Sequence, residues 1–262
     1  MQFTDQLQNK ISVNFPPKRI VSLVPSQTEL LFDLGLNEEV VGITKFCIHP
    51  KEKFKVTQKV GGTKKVDIQK IRDLKPDLII GNKEENQQED IELLMQEFPV
   101  WMSDIYNLED ALDMISKVGA LVNRREEGQE MSNLIKFGFD QFLKSIDKQN
   151  LKSVAYFIWH HPDMLAGKNT FIDEMLIYCS CKNVIKWNRY PNVTHENLAE
   201  LTPELVFLSS EPYPFSEKHI DYFNNIWPDA KVELVDGEMF SWYGSRLLRS
   251  IAYFKELKTK LF

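Results

Sequence analysis

At 262 residues and 30.7 kDa the chain is long enough for one large domain or two of ordinary size. Hydrophobic residues at 43% and charged residues at 27% fit a packed globular protein and exclude disordered and collagen-like classes. With 32 Lys and Arg against 38 Asp and Glu, and a formal charge of -6, the chain lacks the basic footprint of a nucleic-acid or anionic-membrane binder.

Short β-branched or aromatic runs alternate with capped amphipathic segments, which is the α/β pattern. Ile20 to Val24 reads as a strand stopped by Pro25, and Ser26 with Glu29 three residues on reads as a capping box. Helix 26–34 follows, with Gly35 as its C′ residue. Further strands are predicted at Val40 to Thr44, Leu78 to Gly81 and Val100 to Ser103, with helices near 67–74, 87–97 and 108–121, completing a first lobe over 1–122. Met131, Leu134, Ile135, Phe139, Phe142, Leu143 and Ile146 recur at spacings of three and four, so 124–148 reads as one linker helix, on the order of 37 Å long, within 123–149. Gly128 and Gly138 weaken it by about 1 kcal/mol each relative to Ala. The second lobe, 150–262, takes strands near Val154 to Trp159, Leu205 to Ser209 and Val232 to Val235, with helices near 170–179, 195–201, 216–226 and 245–260. The fold class is therefore two lobes, each a mostly parallel sheet flanked by helices, bridged by one helix. DIQKIRDLKPDLIIG at 67–81 repeats faintly as THENLAELTPELVFL at 194–208, each reading as capped helix, Pro and buried strand. Two lobes of related design imply a cleft between them.

Three cysteines, Cys47, Cys179 and Cys181, form no disulfide framework and no CxxC motif. The amino terminus has no apolar stretch of the ~7 to 15 residues a secretory signal needs, and no later run reaches the ~18 that cross a bilayer. As written the chain reads as cytoplasmic, and as periplasmic or cell-surface if a leader has been removed.

No GxGxxG follows a strand, and VGGTKK, Val60 to Lys65, lacks the first Gly of a P-loop, so it reads as a turn into the helix capped by Asp67. There is no GxSxG elbow and no HExxH or paired Cys/His cluster, so neither hydrolysis nor an intrinsic metal or other cofactor is expected. Adjacent His160 and His161 point to opposite faces if extended, whereas Cys47 and His49 share one and form the better metal-directed pair. The other reading is that Cys47 packs as a small hydrophobe and His49 sets up the turn at Pro50.

The loops offer aromatics beside carboxylates. EPYPF, Glu211 to Phe215, and DGEMFSWYGSR, Asp236 to Arg246, follow strands at the edge where open α/β sheets bind ligands. Phe215 and Phe240 read equally well as core, while Trp242 and Tyr243 are two consecutive large aromatics that cannot both easily face it. The first lobe contributes TKFCIHP, Thr44 to Pro50, and NKEEN, Asn82 to Asn86, in which Glu85 is a candidate contact against the ordinary reading of a solvated charge run.

KRIVSLVPSQTELLFDLG, the VGIT strand, IRDLKPDLIIG, AGKNTFIDEMLIYC and NLAELTPELVFL, in that order and spacing, resemble the class III substrate-binding proteins that carry cobalamin, ferric siderophores and haem to ABC importers, the cobalamin branch above all. The resemblance implies two lobes joined by a helix and an aromatic cleft that moves little on binding. It places Phe46 and Tyr190 at cleft aromatics and Glu238 at an acidic contact, with Trp159 and Trp242 beside further cleft positions. Thr63 stands where the family has Trp. The two positions at which family members present a Glu to the permease are Glu196 and Gln69 here, so one docking charge is missing, which together with the leaderless amino terminus points toward a cytosolic relative.

The expected function is a non-enzymatic receptor for a metal chelate, namely cobalamin, a ferric siderophore or haem. The ligand-binding candidates are Phe46, Glu85, Trp159, Tyr190, Glu211, Tyr213, Glu238, Trp242, Tyr243 and Arg246, with Cys47 and His49 metal-directed. An ABC permease is the implied protein partner, with no nucleic acid and no membrane insertion. Two alternatives stand beside it: a cytosolic enzyme or sensor acting on such a ligand, and an interaction module that has lost it.

Overall fold

The structure is a computed structural model and describes residues 1–261. It divides into two compact units, one of Met1–Ile105, Glu109–Lys136 and Tyr243–Arg246, the other of Tyr106–Leu108, Phe137–Trp242 and Leu247–Phe262. Chain order and unit membership thus differ from a simple cut at 122 and 149. Four residues from the far end of the chain belong with the first unit, and three from near position 107 with the second.

In the first unit β1 (Gln2–Thr4) and β2 (Lys10–Ser12) pair antiparallel. There follow β3 (Ile20–Ser22), α1 (Pro25–Asp33), β4 (Val40–Ile43), α2 (Lys51–Val56), β5 (Gln58–Lys59), α3 (Ile68–Leu74), β6 (Leu78–Asn82), α4 (Gln88–Met95) and β7 (Val100–Ser103). The larger sheet runs β5-β4-β3-β6-β7 with every pairing parallel. Strands covered on both faces read as unbroken apolar runs. That is why Ile20–Ser22, Leu78–Asn82 and Val100–Ser103 are buried at every position. Val21, Leu23, Ile71, Ile79, Leu94 and Met102 form the core on one side.

The first helix corrects the capping box. Val24 is the N-cap, Pro25 begins the helix, and no side chain caps it. Ser26 and Glu29 are both buried inside the helix, and Glu29 serves another purpose described below. Gly35, at φ +85°, does follow the Leu34 cap in the left-handed conformation that suits glycine. Next come α5 (Leu108–Leu121) and α6 (Arg125–Lys144), the latter within the segment where apolar spacing predicts one helix. Gly128 is used rather than merely tolerated. A Cβ there would lie 3.0 Å from the Gly119 Cα and 3.0 Å from the Ile115 carbonyl oxygen, so the pair of glycines lets α5 and α6 touch backbone to backbone.

The second unit contains β8 (Lys152–Trp159), β9 (Asp163–Leu165), α7 (Phe171–Tyr178), β10 (Cys181–Asn183), β11 (Asn192–Val193), α8 (His195–Ala199), β12 (Leu205–Ser209), a 3-10 turn at Glu217–His219, α9 (Ile220–Ile226), β13 (Lys231–Val235), α10 (Glu238–Ser241) and α11 (Leu247–Leu261). Strands β10, β8, β12 and β13 are parallel, while β9 and β11 add antiparallel at one side. Phe157, Val206, Leu208, Phe223 and Trp227 centre its core.

The internal repeat is real in three dimensions. Asp67 and Thr194, equivalent in the repeat, both cap their helices through side-chain oxygens, to the Lys70 and Asn197 amides, and each helix leads through a Pro into a fully buried central strand, β6 or β12.

Candidate functional site

Parallel pairing sends the carboxyl ends of β3 to β7 in the first unit, and of β8, β10, β12 and β13 in the second, to one edge of each sheet, and the loops there carry most of the predicted residues. In the first unit the loop after β4 exposes Phe46, half of whose surface meets solvent. Lys45 Nζ lies 5.0 Å from the Phe46 ring centroid. The Lys45 amide donates to the Gly61 carbonyl at 2.8 Å, tying this loop to the turn after β5, and the Gly62 amide closes that turn on the Lys65 carbonyl at 2.8 Å. After β6, Asn82 Oδ1 accepts from the Glu84 and Glu85 amides at 2.8 and 3.0 Å. Glu85 is half-buried, and desolvation followed by the neighbouring Glu84 charge raises its carboxyl pKa.

Cys47 is buried rather than held out beside His49. Its thiol is fully buried, with the Thr28 and Thr44 hydroxyls each 3.1 Å from Sγ, and burial raises its pKa, whereas His49 is half-exposed. The chain turns at 44–48, with the Cys47 amide on the Thr44 carbonyl and the Ile48 amide on that of Phe46, so the extended geometry that would align the two side chains is absent. Among the described residues no cluster of three or more His, Cys, Asp or Glu could hold a metal ion.

Arg246 is also corrected. It is 4% exposed and donates through Nε and Nη2 to the two carboxylate oxygens of Glu29, at 2.9 and 2.7 Å. Desolvation outweighs this partner and leaves the Glu29 pKa raised. The segment around it belongs to the first unit because it packs there: a Cβ on Gly244 would stand 2.6 Å from the Ser26 carbonyl oxygen. Arg246 is thus a structural ion-pair partner rather than a group held out toward a ligand.

In the second unit Trp159 ends β8 with 39% of its surface exposed, and its ring meets Tyr213 edge-on at 5.6 Å. Beyond it His160 is buried, its Nδ1 2.5 Å from Asp163 Oδ1, and its ring stacks 3.7 Å from that of the exposed His161. The Tyr213 hydroxyl lies 3.2 Å from His219 Nε2. Half-buried Glu211 accepts from the Ser241 hydroxyl at 2.7 Å and from Trp242 Nε1 at 2.8 Å, so it binds the loop after β13 to the loop after β12. Glu238 opens α10 in that same loop and is half-buried.

Trp242 and Tyr243 are 5% and 7% exposed, so neither offers an open face, contrary to the reading of two aromatics that cannot both be buried. The chain passes from one unit to the other between them. Tyr190 is half-buried, and Arg189 stands 5.7 Å from its ring and 5.1 Å from that of Tyr106. Gln69 and Glu196 both occupy the second position of their helices, α3 and α8, and are exposed. Each is tied locally, Gln69 Nε2 to Asp73 and Glu196 Oε2 to the Thr194 hydroxyl, both at 2.9 Å.

Sequence reasoning missed Trp187, 43% exposed in the loop between β10 and β11, because that loop holds no predicted strand to mark an edge. It also missed Lys45, because a single lysine in a loop carries no signal of its own.

A family model described as Periplasmic binding protein matches residues 20–223. The chain is 28% identical to the uncharacterized ABC transporter substrate-binding lipoprotein YvrC of Bacillus subtilis, covering 94% of this chain and 82% of that one. It is 26% identical to the vitamin B12-binding protein of Vibrio campbellii, over 75% of this chain and 72% of that one. The periplasmic heme-binding protein RhuT of Roseiflexus superposes with a TM-score of 0.80 at 18% identity, over 93% of this chain and 98% of that one, a likeness of fold. With a family model spanning both duplicated halves, the chain belongs to the periplasmic binding protein family.

Proposed function

We propose that this chain is the non-enzymatic solute receptor of an ABC-type importer, working outside the cytoplasm, and that its ligand is a metal chelate: cobalamin, a ferric siderophore or haem. The observation that carries the reading is the placement of large exposed aromatics, Phe46 in one unit and Trp159 in the other, at the carboxyl ends of strands that pair in parallel in each sheet. Flat, largely apolar ligands are held by such faces while a few polar groups orient them. Half-buried Glu85 in the first unit and Glu211, Glu238, Tyr190 and Tyr213 in the second are the polar groups in reach of those edges. The relatives that bind vitamin B12 or haem support the ligand class, and the substrate-binding lipoprotein relative supports both the importer and the location. Exposed Glu196 and Gln69, at equivalent positions of the repeat, are the surfaces proposed to meet a permease.

Tryptophan fluorescence tests the reading, with cyanocobalamin, haemin and a set of ferric siderophores titrated into the protein. Saturable quenching by at least one is expected, and Phe46→Ala and Trp159→Ala should each weaken it by about 1–3 kcal/mol. A protein that none of these chelates quenches would overturn the proposal.

A further inference from the structure

The charge of the chain is segregated. Its net charge is -6, yet the stretch 45–65 holds seven lysines, at 45, 51, 53, 55, 59, 64 and 65, against the single carboxylate of Glu52. Three of the seven stand at the carboxyl edge of the first sheet. Lys45 lies in the loop after β4, beside the exposed Phe46 ring. Lys64 and Lys65 lie in the turn after β5, which a Gly61–Val66 bridge closes. Packing holds these loops together: a Cβ on Gly62 would sit 3.3 Å from the Phe46 ring and 3.5 Å from Lys45 Cε, so the glycine leaves room for both side chains to lie across the turn.

All three lysines are exposed and none makes a direct ion pair among the described residues, although the Lys64 charge acts on the Glu85 carboxyl. Lys64 Nζ donates to the Glu84 carbonyl oxygen, a neutral acceptor. The acids on the same edge offset the charge only in part. Asp104 is taken by Lys83 at 2.7 Å, and at Glu85 desolvation first and the neighbouring Glu84 charge second raise the carboxyl pKa against the opposing pull of Lys64. An excess of positive charge around an accessible aromatic ring suits a planar or aromatic ligand carrying anionic groups.

We infer that Lys45, Lys64 and Lys65, arrayed about Phe46, form the anion-recognising part of the binding site, and that the ligand is a polyanionic chelate bearing carboxylates or catecholates rather than an uncharged corrinoid. This inference rests on the receptor function proposed above and narrows its ligand. Haem, through its propionates, and anionic ferric siderophores satisfy it; cyanocobalamin does not.

The test compares probes of different charge on the intact chain: haemin and ferric enterobactin as anions, ferrichrome and cyanocobalamin as uncharged chelates. An anionic probe should bind best, and its affinity should fall as salt is raised from about 0.05 to 1 M, where screening shortens to about 3 Å. The combined Lys45→Gln, Lys64→Gln and Lys65→Gln variant should lose about tenfold in affinity for that anion. The same number of charges removed elsewhere, by Lys10→Gln, Lys18→Gln and Lys55→Gln, should change it less than twofold. An uncharged probe binding as tightly as the anions, or a triple variant that binds the anion unchanged, overturns the inference while the receptor function stands. Loss in the triple variant of binding to phosphatidylglycerol vesicles but not to chelates also overturns it, assigning the lysines to a lipid surface. Binding of no chelate at all overturns the receptor function and the inference with it.

Discussion

Replacing Arg246 with Ala tests the most consequential departure of the structure from its sequence. The guanidinium and the Glu29 carboxylate are each 4% exposed and share two hydrogen bonds at 2.7 and 2.9 Å. Removing the cation leaves a carboxylate in a desolvated site, a change that costs about 3–5 kcal/mol for buried pairs. The Glu29 pKa, already raised by burial with Arg246 present, then rises further. The folded variant holds a proton that the unfolded chain, with a carboxyl near 4.5, has released, so its stability falls as pH rises. Urea unfolding of parent and variant should therefore show a deficit of about 3–5 kcal/mol near pH 7 that shrinks toward pH 5. Trp101, 1% exposed, is the one of the chain's five tryptophans that lies in the same unit, so tryptophan fluorescence is read together with circular dichroism. Glu29→Gln combined with Arg246→Met should recover much of the loss, because no charge is then stranded. A deficit below about 1 kcal/mol, or one that does not change with pH, would mean the pair is solvated and the assignment of 243–246 to the first unit's packing is wrong.

Gly128→Ala should gain about 1 kcal/mol of helix propensity and lose more to the 3.0 Å approach of Gly119, a net destabilisation of about 1–3 kcal/mol; a raised Tm would contradict the close helix contact. Trp242→Ala should cost about 3–5 kcal/mol of stability, since it removes a buried ring and the donor to Glu211, and a variant of parental stability that only binds more weakly would return Trp242 to the ligand site. Cys47, Cys179 and Cys181 are buried, with burial raising the Cys47 pKa and pushing that of Cys181 up to about 12, so Ellman's reagent should label none of them in native protein and all three in urea; rapid native labelling at Cys47 would show its loop open.

The elements were legible where one local signal sufficed. Leu205–Ser209 and Val100–Ser103 are apolar runs of strand length between punctuating residues, and Asp67 and Thr194 are caps whose oxygens need only the next turn of chain. What escaped depends on partners far along the chain. Glu29 looks like a capping residue until Arg246, 217 positions away, takes its charge. Trp242 and Tyr243 look like surface aromatics until the chain is seen to change unit between them. Short antiparallel additions such as β9 and β11, of three and two residues, carry too little alternation to register as strands. Phe46 and Trp159 were named through the family resemblance, and each is an exposed aromatic following or ending a strand of its sheet. Whether a half-buried Glu at such an edge faces a ligand or a neighbouring loop is set by tertiary contacts, as Glu211 demonstrates.

Hydrogen–deuterium exchange with and without a saturating chelate tests the central claim most directly, because it reads every loop of both units at once. The account predicts slowed exchange at the carboxyl edges, in 44–50, 60–66 and 83–86 of the first unit and in 159–162, 210–216 and 236–241 of the second. Protection at the opposite edges instead, around 18–20 and 75–78 or around 152–154 and 203–205, would place the ligand elsewhere and contradict it.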